Sequence, residues 1–173
     1  TSAFEVIDEE RYDAKLGSGQ VGGRLSEEGM ERGMHALRIV SQVAASYGPS
    51  VTVIAGTEAL RRAPNADEFC QRVYDELGLE ITILPGEDEA RASFLGAMNS
   101  TSVEDGYLVD IGGGSLEVVH IRERKAISVQ SVPLGALYAT ERYLPDDPPN
   151  ARQVRTLRKA VGKMITLDEK LPV

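Results

Sequence analysis

Apolar residues recur in steps of three and four at Met30, Met34, Leu37, Val40, Ala44 and Tyr47, and Gly48-Pro49 ends the run. That spacing is one face of a helix, so an amphipathic helix is predicted over residues 26–47. Ser26 is its N-cap, and Glu27 and Glu28 oppose the positive end of its dipole. "VTVIAG" reads as a short buried strand. A second helix starts at Asn65, carries Phe69, Val73 and Leu77, and is closed by Gly78. "LEITIL" is the next strand, and Pro85-Gly86 leads into a third helix over about residues 87–99. Helix and strand alternating in this way predict a largely parallel α/β sheet. Beyond Asp105 the pattern changes to "YLVDI", "SLEVVHI" and "AISVQSV", three strand-like runs joined by short turns, the last of them "RERK". They predict an antiparallel meander. Residues 134–144 read as a helix broken by "PDDPP", and residues 150–165 as a last helix with a polar face. The polar stretch 99–105 is the expected boundary between a domain over residues 1–104 and a second over 105–173. No fixed-period repeat or low-complexity tract interrupts the chain.

The chain has 173 residues, enough to bury a core, and its 42% hydrophobic and 27% charged content is that of a globular protein. A formal net charge of −8 argues against a basic face for duplex nucleic acid or an anionic membrane. It leaves phosphate ligands open, since a few aimed arginines and backbone N–H groups suffice locally. No run approaches the roughly 18 apolar residues of a membrane span, and no signal peptide is evident, so a soluble cytoplasmic protein is expected. Cys70 is the one cysteine, which excludes an internal disulfide, and no Cys/His cluster suggests zinc.

The chemistry concentrates in "VDIGGGSLEVV", residues 109–119. No Lys-Ser/Thr follows the glycines as in a Walker loop, and the segment continues as strand rather than helix, unlike a dinucleotide fingerprint. What remains is a strand–turn–strand hairpin whose tip, Gly112, Gly113 and Gly114, has no side chains. Consecutive N–H groups in such a turn can form a concave nest for phosphate, with the Ser115 hydroxyl as a further donor. Asp110 and Glu117 flank the tip with carboxylates that suit magnesium, a hard ion that keeps several waters. The plainer reading is a glycine-rich turn with two solvated acids. In "PGEDEARASFLGAM", Glu87, Asp88 and Glu89 either just oppose a helix dipole or include one acid that orients or deprotonates a water. In "GTEALRRAP", Arg61 and Arg62 lie on a loop after a strand, as surface cations or as a phosphate clamp. Cys70, His35 and His120 read as structural residues, and no serine, histidine and acid set has the spacing of a hydrolytic triad.

Taken in order, "GTEALRRAPNADEF", "GEDEARASFLGAM", "VDIGGGSLEVV" and "SVPLGALYATERYLPDDPP" resemble the exopolyphosphatase/guanosine pentaphosphate phosphatase family, over roughly residues 15–150. The resemblance implies an α/β protein of ribonuclease H-like, actin-like ATPase domains with the site in the cleft between them. It implies release of terminal phosphate from polyphosphate or pppGpp with Mg²⁺. Carried over by position, it makes Glu89 the catalytic acid and Arg61 a phosphate ligand. It makes Gly112, Gly113, Gly114 and Ser115 the second phosphate loop, with Asp110 and Glu117 at the metal. Leu116 stands where many members have threonine. The family's first phosphate loop, a pattern like D-x-G-S-N-S, has no counterpart here, and the second domain is expected to be incomplete. The chain is thus expected to be either a fragment or a form with half the phosphate clamp. The partners implied are polyphosphate or (p)ppGpp, with no duplex nucleic acid and no membrane; a homodimer stays open. Two rival readings are a non-catalytic (p)ppGpp- or polyphosphate-binding module and, further off, a sugar or acetate kinase of the same superfamily.

Overall fold

The computed structural model describes residues 5–20 and 22–167. In chain order the elements are α1 (Glu27–Ser46), β1 (Ile54–Gly56), α2 (Glu58–Arg62), α3 (Ala66–Leu77), β2 (Ile81–Ile83), α4 (Gly86–Ser100), β3 (Gly106–Ile111), β4 (Leu116–Arg122), β5 (Lys125–Val132), α5 (Ala136–Tyr143) and α6 (Ala151–Met164). Strands β1 and β2 form a two-stranded sheet, and β3, β4 and β5 form a second sheet in that order. The strands predicted from "VTVIAG" and "LEITIL" are three residues each, and Val51 and Val53, ahead of the first, stay exposed. Residues 58–62, expected as loop, are helical; the N–H groups of Leu60 and Arg61 both donate to the Thr57 carbonyl. Among the described residues no helix is long and apolar enough to cross a membrane.

The chain divides into two compact units. One holds the described residues up to Ile54 together with Ala63–Ile81. Its core is Met30 and Met34 of α1 against Phe69 and Val73 of α3, all buried. Gly33 makes the approach feasible, since a Cβ there would lie 2.9 Å from Phe69 Cζ. Ser26 caps α1 by accepting from the Gly29 N–H. Asn65 instead bridges to Leu25, accepting from its N–H at 2.8 Å and donating to its carbonyl at 3.2 Å. The apolar face predicted for α1 is covered only at its N-terminal half, and Val40 and Tyr47 are exposed.

The second unit comprises Ala55–Arg62 and the described residues from Thr82 onward. It includes the stretch 99–105, because α4 packs on the β3–β5 sheet. The strands are antiparallel, as the meander pattern predicts. Strand β4 is central and buried on both faces. Val119 and Ile121 pack on Ala90 and Phe94 of α4. Leu116 and Val118 face the other way, onto Leu134 and the apolar sides of α5 and α6. The alternation of side chains along a strand thus gives this sheet a helix layer on each face. It also decides what lies beside α4: Asp110, Glu117 and Ser131 are register partners across the three strands, and Glu117 shares the parity of Val119.

Candidate active site

The row Asp110–Glu117–Ser131 and the first turns of α4 bring most of the predicted site residues together within the second unit. Of the three acids that open α4, Glu87 and Asp88 are exposed, and Glu89 turns inward. Its Oε2 accepts from both terminal nitrogens of Arg61 at 3.1 Å, and its Oε1 lies 3.5 Å from the Ser115 hydroxyl. Arg61 also donates to the Leu84 carbonyl at 2.6 Å and to Glu58 Oε2 at 2.7 Å. Burial lowers the affinity of Arg61 for its proton, but Glu58 and Glu89 outweigh it, so the net shift is upward and the guanidinium stays charged.

Glu117 is 2% exposed and accepts from the Ser131 hydroxyl at 2.8 Å. Burial pushes its carboxyl above the usual range. Hydrogen bonds from Ser131 and Ser115 pull it down, and the neighbouring charges of Glu89 and Asp110 push it further up, leaving a net rise. Asp110 is exposed and accepts from the Ser93 hydroxyl at 2.6 Å. The α4 start can approach β5 only because residue 86 is glycine: a Cβ there would lie 2.7 Å from Ser131 Cβ and Oγ.

The glycine loop is a hairpin tip, as predicted, but its backbone is arranged differently. Gly112 N–H donates to the Ser115 carbonyl at 3.1 Å and is not available to a ligand. None of the three glycines has a left-handed φ, so the tip is a turn and not a nest of alternating handedness. The carbonyls of Gly112, Gly113 and Gly114 accept from the first N–H groups of α5: Ala136 to Gly112 at 2.8 Å, Leu137 and Tyr138 to Gly113 at 2.9 and 3.2 Å, and Gly135 to Gly114 at 2.9 Å. These bonds satisfy the orphan donors of a helix start. With the carbonyls held toward α5, the N–H groups of Gly113, Gly114 and Ser115 find no protein acceptor among the described residues.

Sequence reasoning missed three residues of this site. Gly135 lies so close to the loop that a Cβ would sit 2.5 Å from Gly113 and Gly114 backbone atoms. Glu58 is 8% exposed, pairs with Arg61, and lies against Gly114, where a Cβ would come within 2.9 Å of its Cγ. Ser131 orients Glu117. The "PLGA" turn was a signal for the first; the others depend on contacts across 14 or more positions and on a helix read as loop.

Among the described residues no three side chains converge so as to hold a metal ion unaided. Asp110 and Glu117 are hard oxygen donors side by side in register, which fits an ion such as Mg²⁺ that takes one or two carboxylates and completes its shell with water and phosphate.

The Ppx/GppA phosphatase family matches residues 1–170. The chain belongs to that family. It is 36% identical over 138 residues to exopolyphosphatase 1 of Mycobacterium bovis, covering 79% of this chain and 40% of that protein. It is 37% identical over 123 residues to the guanosine-5′-triphosphate,3′-diphosphate pyrophosphatase of Photobacterium profundum, covering 70% of this chain and 25% of that one. The chain therefore spans well under half the length of these relatives. The solved Ppx/GppA family member from Aquifex aeolicus superposes with a TM-score of 0.67 at 32% identity, over 87% of this chain and 50% of that structure. The fold is accordingly the α/β, ribonuclease H-like, actin-like one that the resemblance implies.

Proposed function

We propose that this Ppx/GppA chain serves a phosphoric anhydride hydrolase that releases terminal phosphate from inorganic polyphosphate or from pppGpp. The observation that carries this reading is Gly113. It is exposed, its φ is ordinary, and nothing lies within 4 Å of where its Cβ would be, so neither packing nor backbone strain accounts for a glycine. A ligand pressed against the backbone does account for it. In this reading the N–H groups of Gly113, Gly114 and Ser115 hold the terminal phosphoryl group. Arg61 neutralises its oxygens, and Glu89, next to both Arg61 and Ser115, orients or deprotonates the attacking water. Asp110 and Glu117 would hold Mg²⁺, which supplies charge neutralisation at the phosphate oxygens when bound. Such a reaction needs mainly positioning and charge neutralisation, and these residues offer both. The reading includes the assignment of residues 1–104 and 105–173 to successive actin-like domains and a cytoplasmic setting, where such substrates occur.

The test is phosphate release by the protein from long-chain polyphosphate and from pppGpp with Mg²⁺, beside its Glu89→Gln variant. Release that falls on the order of 10²–10⁴-fold in the variant is expected. A variant within a few-fold of the parent would remove Glu89 from the chemistry. Binding without any release would leave a phosphate-binding module.

A further inference from the structure

Arg61 is the cation on which the phosphate reading relies, yet its terminal donors are already engaged. Nη1 donates to the Leu84 carbonyl at 2.6 Å and to Glu89 Oε2 at 3.1 Å. Nη2 donates to Glu58 Oε2 at 2.7 Å and to the same Glu89 oxygen at 3.1 Å. Each of these nitrogens carries two N–H bonds, so neither has one left for a ligand. A phosphate oxygen reaches them only if a protein acceptor withdraws.

Of the three acceptors, Glu58 is the one placed to withdraw. The Leu84 carbonyl is backbone, and Glu89 Oε2 is held by both nitrogens at once. Glu58 is held by Nη2 alone, three residues before Arg61 on the short helix α2. Its other oxygen lies 3.6 Å from Nε of Arg62. That is too long for a hydrogen bond, and a shift of about 1 Å would make it one. Arg62 is exposed, with its guanidinium over the Tyr138 ring at 5.0 Å from the centroid, so a second cation stands next to the carboxylate. Glu58 and Arg61 also line a cavity of about 390 Å³, so the pair borders open space. Meanwhile Glu58 lies against Gly114 and is 8% exposed. A carboxylate fixed there opposes any anion at the loop, and one that can change partners does not.

We propose that Glu58 is a resident counter-ion of the site. It occupies Arg61 while the site is empty, passes to Arg62 when a phosphate takes its place, and returns to Arg61 as the phosphate leaves. It thereby sets how tightly orthophosphate, the product, is held. This rests on the phosphate reading of the loop.

Calorimetric titration with orthophosphate and Mg²⁺ tests it on the parent protein, Glu58→Gln, Arg62→Gln, the double variant and Gly113→Ala. Glu58→Gln keeps the size and an acceptor oxygen but removes the competing charge, so orthophosphate should bind a few-fold more tightly. Arg62→Gln removes the receiving cation and should weaken orthophosphate a few-fold in the parent. In the Glu58→Gln background the same change should have no effect, because the two residues act through one exchange. An unchanged or weaker affinity in Glu58→Gln would overturn the counter-ion, since a residue that only positions Arg61 gives that result. An equal loss from Arg62→Gln in both backgrounds would overturn the exchange, since Arg62 then acts without Glu58. If either happens while Gly113→Ala still weakens orthophosphate, the loop reading survives and only the counter-ion fails. No orthophosphate binding by the parent would overturn both.

Discussion

Replacing Gly113 with alanine separates a glycine kept for the fold from one kept for a ligand. The backbone at 113 is not left-handed, and the added methyl meets nothing within 4 Å. Glycine to alanine at a compatible position restricts the unfolded chain and stabilises the protein by about 0.4–1 kcal/mol. For a chain of this size that corresponds to a melting temperature higher by roughly 1–4 °C. Gly135→Ala is the contrast. Its methyl would sit 2.5 Å from Gly113 C and O and from Gly114 N, which are backbone atoms that cannot turn aside. Overpacking costs about 1–3 kcal/mol where side chains can adjust, and more is expected here.

Melting curves and phosphate titrations on both variants are the assay. Gly113→Ala should melt at or above the parent yet bind orthophosphate about 10–100-fold more weakly, the scale of a charge-assisted hydrogen bond lost or lengthened. Gly135→Ala should lose stability first, with binding following as the tip is pushed away from α5. If Gly113→Ala binds phosphate as the parent does, the space in front of Gly113 is not a ligand's, and the reasoning from an unexplained glycine fails.

Two other substitutions probe the carboxylates. The raised Glu117 carboxyl means that, as pH rises, the unfolded chain releases this proton before the folded one. Stability from this group is thus full below the usual glutamate range and is lost as pH climbs through the raised folded value. Glu117→Gln should therefore melt above the parent at neutral pH, with the gap closing on acidification and Mg²⁺-dependent binding weakened; a gap independent of pH would contradict this. Glu58→Gln keeps a partner for Arg61 but removes one of its two opposing charges. Orthophosphate should then bind a few-fold more tightly, and an unchanged or weaker affinity in titration would show that Glu58 only positions Arg61.

What the sequence made legible follows the range of the interactions involved. The caps and stops of α1 and α3, the three strands of the meander and the start of α4 depend on residues within a few positions, and Ser26, Gly78 and Gly86 stand where such rules put them. The direction of the glycine tip was not legible, because it is set by α5, whose N–H groups take its carbonyls. A glycine triplet looks the same whether its flexibility serves a left-handed nest, a close approach or open space. Here Gly114 meets Glu58, Gly113 meets nothing, and no position is left-handed. Glu89 could be separated from Glu87 and Asp88 only by resemblance, since the three share one helical turn. The inward turn of its side chain comes from Arg61, 28 positions away. The shortness of β1 and β2 was hidden for a related reason, since an apolar run does not state how much of it will pair.

The charges around the loop constrain how any phosphate can be held there. Glu58, Glu89, Asp110 and Glu117 outnumber Arg61, the one guanidinium drawn in among them, and Arg61 is already shared by two of these acids. A phosphate brought to this cluster adds negative charge where the Glu117 carboxyl is already pushed toward its neutral form. Backbone N–H groups alone offer partial charges against that field. Binding then requires positive charge from outside the cluster, and a divalent cation at Asp110 and Glu117 would supply it. Removing that cation with a chelator should weaken orthophosphate, and titrations with and without the chelator measure the loss. An affinity that the chelator leaves unchanged would show that the charge comes from elsewhere.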